Sequence, residues 1–137
     1  MKVLVSASGR EPEARVDPRF GRCPYFVIYD TATGAYEALP NLAAAAAGGS
    51  GIQAAQAAVN AGVEAVLTGQ IGPNAFRVLA AAGVRCYTGA GGTVKEAVAA
   101  YQAGKLTLTA AATAGPHAGM GRGSGAGRGQ RRGGRGF

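Results

Sequence analysis

Residues 63–104 read VEAVLTGQIGPNAFRVLAAAGVRCYTGAGGTVKEAVAAYQAG, and a strand–turn–helix unit occurs twice within them. Each unit starts with a short apolar segment that closes on Thr-Gly, and an Ala-rich segment that closes on Ala-Gly follows it. Strands that alternate with helices in this way favour a parallel sheet with right-handed crossovers. The second half of the chain is therefore predicted to form an α/β unit.

Local signals mark the ends of three predicted helices. Capping boxes precede the first and the third helix. Pro73 stands in the first turn of the second, where its missing N–H costs no hydrogen bond. A glycine follows each helix and can adopt the left-handed conformation that terminates it. The predicted helices are 51–61, 74–82 and 94–103, the capping pairs are Ser50 with Gln53 and Thr93 with Glu96, and the terminators are Gly62, Gly83 and Gly104.

The first half of the chain predicts an antiparallel part of the sheet. Residues 2–6 and 25–30 are rich in the β-branched and aromatic residues typical of strands. Residues 31–34 form a hairpin turn, and the strand that follows is predicted to be an edge because Pro40 ends it. Together with the strands predicted at 63–68 and 84–88, these strands form a five-stranded mixed sheet, which three helices accompany. Residues 106–109 either add a short strand or fray.

The positive charge of the chain lies mostly near its end. Lys and Arg total 14 against 7 Asp and Glu, yet residues 104–137 hold six basic residues and no acidic one. Residues 1–105 are predicted to be a nearly neutral domain, and 106–137 a flexible Gly/Arg-rich tail that is disordered from 115 onward. Such a polycation binds the backbone of RNA or DNA with little sequence preference. The alternative is a tail that only increases solubility.

Cysteine usage and hydropathy predict where in the cell the protein is located. Cys23 and Cys86 are too few for a disulfide framework, and no secretory signal precedes the first strand. A cytoplasmic, reducing location is therefore the expectation. Residues 38–63 carry no charge, but Pro, Asn and Gln interrupt them, which makes a poor membrane-spanning helix. No membrane association is expected.

The loop before the second strand gathers turn residues, two arginines and a thiol. Residues 17–25 read DPRFGRCPY. Positive charge next to Cys23, from Arg22, is expected to lower the pKa of the thiol and to favour thiolate ligation. One cysteine is nevertheless not a metal site, because closed sites need several ligands at defined spacing. For Cys86, inside a predicted strand, a buried core position is expected.

Three glycine-containing turns, at 6–9, 69–74 and 89–93, are predicted to meet at one edge of the sheet. In open α/β sheets, ligands bind beyond the carboxyl ends of the parallel strands, where helix N-termini present free N–H groups. Arg19 and Arg22 can lean in from the loop, so an anionic ligand suits this edge. The alternative, which the sequence leaves open, is that the glycines only permit tight connections.

Motifs of a conventional active site are missing from the sequence. It contains no nucleophile elbow, no phosphate-binding loop and no zinc-protease motif. The first strand carries no carboxylate, and the only histidine, His117, stands in the tail. A hydrolase would need paired carboxylates, which the sequence does not offer. A non-catalytic binding protein is therefore predicted.

Three segments resemble the dinitrogenase iron–molybdenum cofactor biosynthesis family, which includes NifX and the C-terminal domain of NifB. They are VDPRFGR at 16–22, AAGGSGIQAA at 46–55 and GQIGPNAF at 69–76, and the resemblance runs from residue 2 to about residue 105. It implies a ribonuclease-H-like α/β fold with sheet order 3-2-1-4-5. It also implies a non-catalytic accessory protein that binds or carries an anionic metal–sulfur cluster, of the iron–molybdenum type or another, or its precursor. Cluster-assembly proteins would be its partners.

One position departs from the family pattern. Nitrogenase-associated members tend to carry His before the Phe-Gly of the loop, and Arg19 stands there in this chain. A bond from that residue to a metal is therefore not available, and a cluster would be held mainly as an anion. The predicted cluster-binding residues are Arg19, Phe20, Gly21, Arg22, Cys23, Gly69, Gly72, Asn74, Gly91 and Gly92, with Cys23 as the candidate metal ligand.

Overall fold

The computed structural model of the chain describes residues 1–42 and 50–109. Residues 43–49, and the tail from residue 110, lie outside the described residues. The elements are β1 (Lys2–Ala7), β2 (Tyr25–Asp30), β3 (Tyr36–Pro40), α1 (Ser50–Asn60), β4 (Ala65–Leu67), α2 (Pro73–Ala81), β5 (Arg85–Thr88), α3 (Val94–Gln102) and β6 (Thr107–Leu108).

The strands form one mixed sheet in the order β3-β2-β1-β4-β5-β6. β1, β4 and β5 are parallel, whereas β2, β3 and β6 run antiparallel to their neighbours. The α/β class, the three helices and the order 3-2-1-4-5 are thus confirmed. The sheet has one strand more than the five predicted, because β6 pairs with the end of β5. Both residues of β6 are exposed, so no burial pattern marks this strand in the sequence.

The ends of the three helices and the starts of α2 and α3 have the local geometry that the sequence predicts. Gly62, Gly83 and Gly104 follow the three helices with φ values of 76°, 77° and 74°, the left-handed region that terminates a helix. At α3, the hydroxyl group of Thr93 accepts from the N–H of Glu96 at 3.1 Å. The Glu96 carboxylate accepts from the Thr93 N–H at 2.9 Å, which completes the capping box.

The apolar core has one layer on each face of the sheet. Side chains alternate along β1, so that Leu4 packs with α1 and α2, whereas Val3 and Val5 pack with α3. Phe20, from the connection between β1 and β2, joins the layer under α1 and α2, where its ring centroid lies 5.6 Å from that of Phe26. This connection is therefore part of the core and not a loose surface loop.

The connection between β1 and β2, residues 8–24, which we call the edge loop, crosses the carboxyl ends of β1 and β4. The N–H of Gln70, in the turn after β4, donates to the carbonyl oxygen of Pro18 at 2.8 Å. A Cβ atom on Gly69 would lie 2.7 Å from the Cα of Pro18. Gly69 is therefore required for the close approach of two backbone segments.

We expect the substitution Gly69→Ala to lower the free energy of unfolding by about 1–3 kcal/mol, the usual cost of overpacking. The atoms that the new methyl group meets include backbone atoms, which cannot rotate away as the end of a side chain can. Denaturant unfolding followed by circular dichroism measures this change. Gly91→Ala is the matched control, because nothing lies within 4 Å of the Cβ that it adds. Equal stability of the two variants would contradict the expectation.

Candidate functional site

Two buried hydroxyl groups hold the edge loop at the ends of β1 and β4. Ser6 and Thr68 are fully buried, and their hydroxyl oxygens lie 2.8 Å apart. Ser6 Oγ donates to the carbonyl oxygen of Asp17 at 2.6 Å, and the Asp17 N–H donates to the Ser6 carbonyl at 2.9 Å. Because the single hydroxyl proton of Ser6 goes to Asp17, Thr68 is the donor in the hydroxyl pair. These contacts fix Asp17 above the junction of two parallel strands.

The first half of the edge loop closes the N-terminus of α3. The N–H groups of Val94 and Lys95 donate to the carbonyl oxygens of Ala14 and Pro12 at 2.8 and 2.9 Å. The next N–H is held by the capping box. Free N–H groups at the start of a helix attract anions, and their use within the protein removes α3 from the candidate site.

Gly91 and Gly92, two of the predicted cluster-binding residues, stand just before this closed helix end. The carbonyl oxygen of Gly92 accepts from the N–H of Val16 at 2.8 Å. Gly92 also has a φ of 73°, which favours glycine. The geometry therefore gives Gly92 a part in holding the edge loop, and it gives Gly91, which is exposed, no close neighbour.

The second half of the edge loop lies against the first turn of α1, and that turn itself lies against α2. A Cβ atom on Gly21 would lie 3.0 Å from the backbone N of Gly51, and one on Gly51 would lie 3.4 Å from the Cβ of Ala75. The two helix N-termini therefore adjoin beneath the loop. Neither first turn contains an acidic residue, and the N-cap of α2 is Gly72, which has no capping side chain. The positive ends of two helix dipoles thus meet here without a carboxylate in either first turn.

Arg19 and Arg22 add two guanidinium groups to this end of the fold. The Arg19 side chain is 64% exposed, and its Nη2 lies 3.1 Å from Oδ2 of Asp17. Burial raises the pKa of Asp17, but the hydrogen bonds and charge of Arg19 outweigh it, so that this pKa lies below its ordinary value. The hydrogen bond and charge of Asp17 raise the pKa of Arg19. Arg22 is exposed. Both arginines are charged at neutral pH.

The thiol of Cys23 lies in the core and not at this surface. It is fully buried, and its Sγ donates to the carbonyl oxygen of Phe20 at 3.2 Å. Burial raises the pKa of the thiol to about 12, although hydrogen bonds from Ala7 and Asn41 oppose the shift. The expectation that Arg22 lowers this pKa is therefore wrong, because the thiol faces the core, where the loss of hydration and the charge of Asp17 both raise its pKa. We leave Cys23 out of the proposed site.

The other predicted residues divide between the surface and the core. Phe20 is buried and anchors the edge loop from below. Cys86 is buried within β5, as the sequence predicts. The loop backbone at Arg19 pairs with Gln70 in the turn after β4. The predicted residues that the structure brings to the side of α1 and α2 are Arg19, Gly21, Arg22, Gly69, Gly72 and Asn74.

Sequence reasoning missed three residues that position this surface. Ser6 and Thr68 carried a usable signal, because each is a hydroxyl residue that closes an apolar strand. Asn41 carried none. Its Nδ2 donates to the carbonyl oxygens of Cys23 and Gly21 at 2.8 and 3.3 Å, and these partners are distant in the sequence.

The described residues do not contain a conventional metal site. Within residues 1–42 and 50–109, no three His, Cys, Asp or Glu side chains are grouped so that they could hold a metal ion.

In the same part of the chain, no helix is long and apolar enough to cross a membrane.

Comparison with known proteins gives a consistent set of relatives. The family model described as dinitrogenase iron-molybdenum cofactor matches residues 1–104. An uncharacterized protein of Methanocaldococcus jannaschii is 32% identical over 95 residues, 67% of this chain and 80% of that protein. The apo orange protein of Desulfovibrio gigas has a TM-score of 0.79 and 37% identity, over 81% of this chain and 94% of that one. A Thermotoga protein proposed to be NifB has a TM-score of 0.70 and 40% identity, over 78% and 91%.

We expect Cys23 to be inert towards thiol reagents in the native protein. The variant Cys86→Ala isolates its reaction, which should be slow at pH 8 and become complete only on unfolding. Burial also raises the pKa of Cys86, to about 11. The two thiols lose their protons at lower pH in the unfolded chain than in the native protein. The free energy of unfolding of the native sequence should therefore fall as the pH rises from about 8.5. Fast, complete labelling of Cys23 in the folded protein would contradict its placement in the core.

Proposed function

Since the chain belongs to the dinitrogenase iron–molybdenum cofactor family, we propose that it carries an anionic metal–sulfur cluster, or the precursor of one, as an accessory protein. The cargo is an iron–molybdenum–sulfur cluster or another metal–sulfur cluster. In this proposal the protein is a carrier and not an enzyme, and proteins of cluster assembly are its partners. The cytoplasm is the proposed location, from cysteine usage.

One observation carries the proposal. The edge loop is pinned so that Arg19 pairs with Gln70 in the turn before α2, while Gly21, the neighbour of Arg22, lies against the first turn of α1. Guanidinium groups and helix N-termini both favour negative charge. Gly72 leaves the N-cap of α2 without a side chain, whereas Gly21 and Gly69 permit the close backbone contacts that hold the edge loop in place. The combination suits an anion larger than a single metal ion.

The mode of binding follows from the donors present. Both cysteines are buried, and Arg19 stands where nitrogenase-associated members tend to have His. No described cysteine is exposed to bond to a metal of the cargo, so ion pairs and N–H contacts would hold it. Such contacts dissociate without breaking a coordinate bond, which suits a protein that must pass its cargo to a partner.

We expect Arg19→Gln and Arg22→Gln each to weaken binding of a metal–sulfur anion about tenfold, the scale of one charge-assisted hydrogen bond. The salt dependence of binding should decrease as well, since each variant removes one positive charge. Titration of each variant with tetrathiomolybdate at two salt concentrations measures both effects.

Arg85→Gln is the matched control for these two variants. Arg85 is exposed at the start of β5, at the opposite end of the strand from the site, and its loss changes the net charge by the same amount. Equal weakening in all three variants would show that net charge alone matters, and it would contradict the proposed site.

A second proposal concerns the tail, which lies outside the described residues. Its Arg-Gly composition, with no acidic residue after Glu96, favours binding to a nucleic-acid backbone. Deletion of residues 115–137 separates the two proposals. A carrier keeps its cluster after the deletion, whereas a nucleic-acid-binding protein loses its affinity for RNA or DNA.

A further inference from the structure

We propose that Asp17 is a positioning residue. It holds the guanidinium of Arg19 so that the outer edge, formed by Nη1 and Nη2, grips two neighbouring oxygen or sulfur atoms of the cargo. The inference rests on the proposed function and deepens it, because it names the contact that recognises the cargo.

Three hydrogen bonds join the two residues. Nε and Nη2 of Arg19 donate to Oδ1 and Oδ2 of Asp17 at 3.2 and 3.1 Å, and the Arg19 backbone N–H donates to Oδ1 at 2.9 Å. The Asp17 carboxylate thus binds the inner edge of the guanidinium, formed by Nε and Nη2, and also the backbone N–H of Arg19. A guanidinium has five N–H donors in a rigid plane. The three that remain, two on Nη1 and one on Nη2, point away from Asp17.

Asp17 can orient Arg19 because Asp17 is itself fixed. Its side chain is 8% exposed, and its backbone N–H and carbonyl groups are both bonded to Ser6. The neighbouring backbone is also held, since Gln70 donates to Pro18 and pairs with Arg19. The guanidinium is therefore oriented from below, while most of its surface is open to solvent.

The free edge selects a class of ligand. A guanidinium edge fits two acceptor atoms held rigidly side by side, and such bidentate contacts give orientation as well as affinity. Tetrahedral oxo- and thioanions such as molybdate and tetrathiomolybdate present such a pair, and so does the sulfur surface of a metal–sulfur cluster. Lysine cannot replace arginine here, because one ammonium group cannot make the inner and the outer contact together.

The charges of the pair assign different tasks to the two arginines. The carboxylate of Asp17 offsets the charge of Arg19, so this pair contributes direction and little net charge. Arg22 and the N-termini of α1 and α2 supply the net attraction for an anion. Replacement of Arg19 by Lys should therefore be far more damaging than replacement of Arg22 by Lys.

The test is calorimetric titration of the full-length protein with tetrathiomolybdate in a double-mutant cycle. Asp17→Asn keeps the size of the side chain and an oxygen for the Arg19 N–H, but removes the charge and one acceptor. Arg19→Lys keeps the positive charge and removes the planar guanidinium with its several N–H donors. We expect about tenfold weaker binding for each single variant. The double variant should bind no more weakly than Arg19→Lys, because Asp17 acts through Arg19.

A measurement without ligand isolates the positioning step. The Nε–H resonance of Arg19 in the NMR spectrum should be protected from exchange in the native protein and should lose that protection in Asp17→Asn. Thermal unfolding of every variant controls for the fold. If Asp17→Asn does not fold, the affinities of Arg19→Lys and Arg22→Lys for tetrathiomolybdate are compared instead. Equal affinities of these two variants overturn the proposal.

The outcomes separate this proposal from the carrier function. Additive losses in the double variant, or native affinity in Arg19→Lys, overturn the role of Asp17 and leave the carrier function standing. A native protein that binds neither molybdate nor tetrathiomolybdate overturns both. Coupled losses, with lost protection of the Arg19 Nε–H, support both.

Discussion

The hydrogen bonds that join Ser6, Thr68 and Asp17 are the constraint on which the candidate site depends. A hydroxyl group without a partner is costly inside a protein, and the shortest hydrogen bonds of these two run to each other and to the edge loop. The loop therefore cannot lift from the sheet without leaving polar groups unpaired. Its attachment places Arg19 next to Gln70 and lays Gly21 over the start of α1.

The same loop gives the two faces of the sheet opposite roles. On one face its carbonyl oxygens use the free N–H groups of α3, which closes that helix to anions. On the other face, Arg19 and Arg22 belong to the half of the loop that adjoins two helices without acidic residues in their first turns. The positive potential is thereby concentrated on one side. A carrier with this arrangement would hold its cargo by charge and shape, and a partner protein could remove it by offering stronger ligands.

Much of the fold could be predicted from the sequence because its signals are local. Gly62, Gly83 and Gly104 end helices through their own backbone freedom, and Thr93 caps α3 through a residue three positions away. The site was harder to predict because it depends on which way side chains face. Cys23 stands beside Arg22 in sequence but faces the core. In the sequence, Asp17 indicates only a turn. Its contacts with Arg19 are local, but those with Ser6, eleven residues away, form only when the loop folds back over the first strand.

The proposed site of the cargo lies on the side of α1 and α2, between Arg19 and the two helix N-termini. Anomalous diffraction at the molybdenum edge, from crystals of the protein loaded with tetrathiomolybdate, tests it most directly. We expect a molybdenum peak within contact distance of the Arg19 guanidinium and the first turn of α2. A peak beside α3 or at either buried cysteine, with nothing at Arg19, would contradict it.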